Sequence, residues 1–555
     1  MTSIWLLLGI AIVAQAHIVK KVDSDDAELP DELEWPDEYT LKAMRMSLTD
    51  NVIENYEIWR TEKSSRIDYN DGYVKSIVLA DDNYRYGVKY SIHPEASRSQ
   101  DVETACASVI GDKYDSIAPE TILPLEAYNY ESAGKETIQD KDCVKFKYDS
   151  TEDGTEKRRT IWATYDTSSK IWIPVRLEIL EFSVWLGSKN KHDIIDYYDF
   201  VKSFSAERVF DVEDYNCPGN ETAAYTSHSE AISKNLLFAD PDKKHHIDNL
   251  FHSFKKDFTK VYADENEHSM RKSVFKSNVR RVIEHNRRNL GYKLALNQFA
   301  DKTPKEMRKF MGLNRRPEGK VGNIPFPYNE DKLKDLSNDL PSEYDARLLG
   351  LVSKVKNQEE CGSCWTFGTT AAVEGALARV NGGRLLALSN QALVDCAWAF
   401  GAAGCDGGTD NAAYEWMMEY GLPTEAEYGP YLNQDGVCKI LNTTKIYPIR
   451  GYTDVTPLSV GALKVALVNH GPLSVSVDVT PSFSLYSSGI FYDITCKEQE
   501  LNHEVTLVGY GERDGDTFWI LKNSWGPTWG IGGYMYISAR DNNCGVATEP
   551  TYVVF

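Results

Sequence analysis

The run Asn357-Gln358-Glu359-Glu360-Cys361-Gly362-Ser363-Cys364-Trp365-Thr366-Phe367 holds the residues of this chain best suited to chemistry. Cys361 and Cys364 stand three apart, Gln358 stands three before the first, and an apolar run follows the second. The pattern predicts a helix from about Trp365 to Val380, stopped by Asn381-Gly382-Gly383. Cys364 then sits at a helix N-terminus, where the macrodipole and unpaired amide hydrogens favour a thiolate, the attacking form of cysteine. On spacing alone the pair could also be two structural half-cystines, a redox couple or half a zinc site.

Distant residues decide among these. Cys361-Gly362-Ser363-Cys364-Trp365 carries the papain-type signature, which calls for a His and an Asn about 130–150 residues further on. His503, in Leu501-Asn502-His503-Glu504-Val505, falls inside that window; Asn523, in Lys522-Asn523-Ser524-Trp525-Gly526, falls slightly beyond it. Together they resemble the papain family of cysteine peptidases. The resemblance implies Cys364 as nucleophile and His503 as its base, with the two stored as a thiolate–imidazolium pair. It further implies Asn523 holding the imidazole, Trp525 covering that bond, and Gln358 donating to the oxyanion. Gly407 and Gly408 resemble the glycine rail that binds an extended substrate, where glycine admits close approach. By position, Thr409, Asp410, Ser476, Leu501, Asn502 and Glu549 line the pocket for the second residue before the cut. Cathepsin L-like enzymes usually place apolar residues at three of these, and Glu549 resembles the pocket-floor glutamate of cathepsin B. Arg or Lys is therefore expected there as well as apolar residues. Nothing between Cys405 and Cys438 resembles cathepsin B's occluding loop, so the expected activity is endopeptidase, through a thioester acyl-enzyme, with no cofactor and no metal.

These residues need a scaffold. Residues 340–555 resemble the α+β, two-lobed papain-like domain throughout, from Leu340-Pro341-Ser342-Glu343-Tyr344-Asp345-Ala346-Arg347 onward, with Ala346 where tryptophan is usual. Residues 236–339 read as linker and α-helical inhibitory propeptide. Glu267, Arg271, Phe275, Asn278, Val282 and Asn286 recur at spacings of three and four, one face of a helix. They resemble the interrupted Glu-Arg-Phe-Asn-Ile-Asn motif of cathepsin L-like propeptides, with Val282 for isoleucine. Asn297-Gln298-Phe299-Ala300-Asp301 resembles the second propeptide motif, with Ala295 at its usual leading glycine. Residues 314–340 read as an exposed tether cut on activation.

Residues 17–235 read as an antiparallel β domain, a curved sheet or partial barrel without a catalytic constellation. Asn70-Asp71-Gly72 and residues 166–170 mark two hairpins, and Trp162, Trp172 and Trp185 are candidate core aromatics. Residues 17–36 read as a loose acidic leader. Residues 1–16 read as a signal peptide, with an apolar core ending in Ala14-Gln15-Ala16. That core is shorter than the ~20 residues of a membrane anchor. The expected location is the secretory pathway, in the lysosome or outside the cell. Asn220 and Asn442 begin glycosylation sequons.

Ten cysteines in such a compartment should be mostly paired. In the β domain, Cys106 with Cys143 is the expected bridge, which leaves Cys217 over. The family pattern implies Cys361 with Cys405, Cys396 with Cys438, and Cys496 with Cys544. A net charge of −22 excludes a generic nucleic-acid binder. Residues 251–320 carry 18 basic and 8 acidic side chains, and residues 340–555 carry 13 and 24. Opposite charge fits a propeptide docked on its own enzyme and released by acid. The whole architecture resembles the two-chain haemocyte proteases of invertebrates, which implies that the N-terminal chain stays associated after cleavage. The expected partners are protein or peptide substrates and the chain's own propeptide, with no nucleic acid and no stable membrane anchor. The rival reading is an inactive papain fold whose β domain does the binding.

Overall fold

The period-two alternation of the N-terminal third becomes one antiparallel sheet. The computed structural model describes residues 29–215, 217, 236–440 and 445–555, apart from 31, 51, 82, 97–101, 153, 185 and 186. Residues 1–16, read as a signal peptide, together with Trp185 and both sequon asparagines, Asn220 and Asn442, lie outside the described residues.

Eleven strands build the first sheet: β1 (Tyr39–Ser47), β2 (Val52–Arg60), β3 (Ser64–Tyr69), β4 (Val74–Leu79), β5 (Val88–Ala96), β6 (Val102–Ile110), β7 (Glu131–Ile138), β8 (Lys141–Glu152), β9 (Thr155–Asp166), β10 (Ile171–Ser183) and β11 (Ser188–Val201). Their order is β6-β5-β4-β3-β2-β1-β11-β10-β9-β8-β7. The two ends do not meet, so the sheet is open and the partial barrel is corrected to an open sheet. Tyr39, Leu41, Tyr56, Ile58, Phe146, Ile161, Trp172 and Tyr197 form its main core. Both predicted hairpins are present, the first with Asn70, Asp71 and Gly72 at positive φ.

Three expectations for this domain change. The leader is not loose throughout: Leu33 is buried, Glu32 O accepts from Trp172 Nε1, and Trp35 Nε1 donates to Pro124 O. The disulfide joins Cys106 to Cys217, while Cys143 is a free, buried thiol. The reason is topological, because β6 is one edge of the sheet and β8 lies next to the other. Among the described residues, strand structure begins only at Tyr39, well inside the 17–235 span.

The propeptide opens with helices α1 (Lys244–Asp257) and α2 (Glu265–Asn286). Asp264 caps α2 by accepting from Glu267 N. The motif face acts through contacts. Arg271 joins Glu267 to Glu306, Phe275 packs against Phe251 and Phe254, and Val282 is buried. Asn278 donates to Ala300 O, and Asn286 exchanges hydrogen bonds with the Leu294 backbone. The short strand β12 (Tyr292–Leu294) then pairs with the peptidase strand Tyr486–Phe491, adding the propeptide to the enzyme's sheet. Propeptide and peptidase share one apolar core that includes Phe254, Phe275, Phe299, Phe483 and Trp525.

The tether is not a free strap. Arg316, Gly322 and Asn323 bond the peptidase, and a helix spans Glu330–Asn338. Much of the tether is nevertheless exposed, including residues 317–321, 329–332 and 339, and exposure continues through residues 341–343.

In the peptidase, helix α3 (Cys364–Val380) is buried for most of its length. It packs against α4 (Asp410–Tyr420) in one lobe and against strands β13 (Leu473–Val477) and β14 (His503–Arg513) of the other. Strand β15 (Asp516–Lys522) pairs with β14. The three disulfides expected from the family pattern are all present.

Candidate active site

The loop before α3 is held at both ends. Gly362 N donates to Cys405 O at 2.9 Å beside the Cys361–Cys405 bridge, and Gln358 N donates to Ser524 O at 2.8 Å. Cys364 is thereby fixed as the first residue of α3, with Ser363 at the cap position. His503 opens β14, and Asn523 follows directly on β15. His503 Nε2 lies 2.8 Å from Asn523 Oδ1, and Trp525 stacks on the imidazole with 4.7 Å between ring centroids. Among the described residues His503 Nδ1 makes no well-formed hydrogen bond, although the Phe310 backbone acts on the ring. The backbone amide of Glu504, the next residue after His503, faces Cys364 Sγ. Gln358 completes the group, its Oε1 accepting from Ser524 Oγ at 2.6 Å.

Residues 310–314 occupy the site. Gly312 N donates to Cys364 Sγ at 3.1 Å, and Gln358 Nε2 donates to Phe310 O at 3.1 Å. Gly408 N donates to Gly312 O at 2.9 Å, while Asn314 N donates to Gly408 O at 2.8 Å. The predicted rail is therefore engaged through Gly408. Gly407 takes a positive φ of 117°, and a Cβ there would lie 2.8 Å from Asn314 Oδ1. Upstream, Gln298 Nε2 donates to Trp525 O and Phe299 meets the Trp525 ring edge-on.

A blocked site is also a dry one. Burial pushes the Cys364 thiol up to about 12 and the His503 imidazole down to about 4. Both favour their neutral forms, so the thiolate–imidazolium pair expected of the working enzyme is not the favoured state of this closed arrangement.

Residues 340–554 match the papain family cysteine proteases, and residues 251–307 match the cathepsin propeptide inhibitor domain. Human cathepsin L2 is 36% identical over 333 residues, 58% of this chain and 97% of that protein. Mouse procathepsin L is 36% identical over 315 residues, 55% of this chain and 91% of that one. The chain belongs to the papain family of cysteine proteases. Among solved structures, digestive procathepsin L 3 of Tenebrio molitor is similar at 37% identity and a TM-score of 0.50, over 56% of this chain and 99% of that one. The two domain matches span residues 251–554, leaving the β domain outside them.

Within this papain-family proenzyme the six pocket residues separate. Asp410 is buried and accepts from Arg316 Nη2 at 2.8 Å and from Thr551 Oγ1 at 2.9 Å. Glu549 lies within electrostatic reach of the same guanidinium. The Thr409 hydroxyl instead caps α4, and the Asn502 amide turns to Val479 N and Asp478. Leu501 sits against Gly545, and Ser476 is buried opposite Glu504 on β13.

Two residues escaped the sequence reading. Asp454 accepts from Arg316 Nη1 at 2.9 Å, and no local pattern announces it. Glu504 is buried, hydrogen-bonded to Ser474 Oγ, and its Oε2 is unpartnered. Burial and the neighbouring Asp410 push its carboxyl well above the usual range. A carboxylate letter directly after His503 was the available signal.

Proposed function

We propose that the chain is the zymogen of a secreted or lysosomal cysteine endopeptidase, activated by proteolysis in acid. The observation that carries this is the occupation of a complete site by its own propeptide. Phe310 O accepts from Gln358, the oxyanion donor, yet the group facing the sulfur is the Gly312 N–H rather than a carbonyl carbon. A hydrogen-bond donor at Sγ cannot be attacked, so the segment fills the cleft without being cut there.

Once the segment leaves, water returns and the proton moves from Cys364 Sγ to His503, giving the ion pair. The thiolate attacks the substrate carbonyl carbon, and the oxygen takes the negative charge beside Gln358 Nε2 and the Cys364 N–H. His503 returns its proton to the leaving amine as the C–N bond breaks, leaving a thioester. Water, deprotonated by His503, hydrolyses the thioester and regenerates the thiol. Asn523 and Trp525 keep the imidazole in one orientation throughout. A thiol-directed epoxide tests the reading: it should label Cys364 after acid maturation and not before, and no label in the matured chain would overturn it.

The same reading extends to specificity. Arg316 already stands among Asp410, Asp454 and Glu549, as a basic substrate residue would. We assign Asp410, Glu549 and Glu504 to a pocket that accepts Arg or Lys two residues before the cut.

A further inference from the structure

The sheet's buried face carries charges where it leaves its own core. On β1 the alternation Tyr39, Leu41, Ala43 continues to Arg45; on β2, Tyr56 and Ile58 are preceded by Glu54. Arg45 bonds Asp193 of β11 through Nε at 2.8 Å, Glu54 through Nη1 at 3.5 Å, and Glu284 of α2 through Nη2 at 2.6 Å. Arg280 of α2 reaches back to Glu181 of β10 at 2.7 and 3.2 Å, and to Asp242 at 2.8 Å. Glu54, Glu181 and Asp193 are each 1% exposed. Arg281 pairs with Asp50, and the Arg287 guanidinium lies 4.0 Å over the Tyr69 ring. Four of these links cross from the sheet to the propeptide: Arg45–Glu284, Arg280–Glu181, Arg281–Asp50 and Arg287–Tyr69.

Charges this deeply buried need their partners. Two ion pairs to the enzyme are more open, Lys302–Glu360 and Lys320–Glu415, each with a side chain nearly half exposed, whereas Arg316–Asp410 and the shared apolar core are buried. The β domain thus grips α2, while residues 310–314, further along the chain, lie in the cleft.

We propose that the β domain is the holder of the propeptide, so that the chain from residue 29 to about residue 340 forms one inhibitory module able to leave and rejoin the mature peptidase. The proposal rests on the zymogen reading above. Hydrolysis at the exposed residues 341–343 separates module from enzyme with nothing but water and the enzyme's own activity. Acid should not dismantle the module first. Burial raises Glu181, but Arg280 and Lys191, with Lys276 nearby and Asp242 opposing, hold it down at about 2. Glu284, raised by burial and by Glu54, Asp50 and Asp193 against the pull of Arg45, takes up a proton more readily in the assembled state, so acid does not loosen the module there.

The test uses the full-length zymogen in two forms. Wild type is matured in acid, and Cys364→Ser is cut by an added glutamyl endopeptidase, which needs no activity from this chain. Each digest is run on size exclusion and the chains are identified by terminal sequencing. In both, the β-domain fraction should retain residues 244–287 and separate from the peptidase in acid. Returned to neutral pH, it should inhibit the mature enzyme. Module from Arg280→Glu zymogen should inhibit at least tenfold more weakly, and the Arg280→Glu/Glu181→Arg pair should recover. A β domain that stays on the peptidase after residues 244–287 have gone, or an Arg280→Glu module as potent as wild type, overturns the proposal. Failure of wild type to take the epoxide label, with the Cys364→Ser fractions as expected, would instead count against the peptidase reading alone.

Discussion

Gly312 N donates to Cys364 Sγ at 3.1 Å, and a Cβ on Gly312 would lie 1.6 Å from Gly362 O. No side chain fits between the inhibitory segment and the loop that carries the nucleophile. Gly312→Ala should therefore lift the segment off the sulfur. The expected outcome is epoxide labelling of the uncleaved zymogen at neutral pH at least tenfold faster than wild type. Equal rates would mean that the contact does not guard the thiol.

In the proposed mechanism Gln358 is the side-chain donor to the oxyanion. Gln358→Ala should lower kcat of the mature enzyme by about 10²–10³, about 2.7–4 kcal/mol, with KM nearly unchanged. A loss confined to KM would assign Gln358 to ground-state binding instead.

Opening of the zymogen should follow pH with a definite sign. Burial lowers His503 from 6.5 to about 4, so the closed state holds the ring neutral while an open, hydrated site binds a proton. The closed state is favoured above about 6.5 and loses that advantage as pH falls toward 4. Glu360, lowered by its hydrogen bond to Lys302, acts in the same direction, since acid removes its charge. Glu549, raised by burial, acts in the opposite one. Stopped-time epoxide labelling of uncleaved zymogen should accelerate between pH 6.5 and 4. A flat profile would sink the assignment.

The acidic pocket predicts a substrate preference. Peptides differing only in Arg against Leu, two residues before the cut, should show substantial cleavage of the Arg peptide. Glu549→Ala and Glu504→Leu should each reduce the Arg-to-Leu ratio of kcat/KM several-fold. Persistence of a strong Leu preference in every form would refute the pocket's role.

Thiol counting checks the disulfide map. Cys143 and Cys364 are the two free cysteines. Unfolding without reductant should expose two titratable thiols, falling to one in Cys143→Ala. Assay of the native zymogen should find neither readily, since both are buried.

The catalytic group was legible because its members are fixed by local chemistry and by order along the chain. Cys364 at the start of an apolar helix, His503 and Asn523 needed only the family pattern to be joined. The propeptide face from Glu267 to Asn286 was legible for the same reason, its period of three and four surviving in α2. The β domain was legible as alternation and turns, down to the Asn70-Asp71-Gly72 hairpin.

Other features depend on which distant segments meet. Whether the sheet closes, and therefore whether Cys106 finds Cys143 or Cys217, is decided by strand order, which no strand encodes locally. Arg316 reads as one charge in a tether until folding sets it between Asp410 and Asp454. Sequence by itself determined the reactive groups and the class of each domain, because those follow from residue type and short-range period. Tertiary structure alone decided that the reactive pair is held neutral and covered by Gly312, because burial and long-range contact set protonation and access.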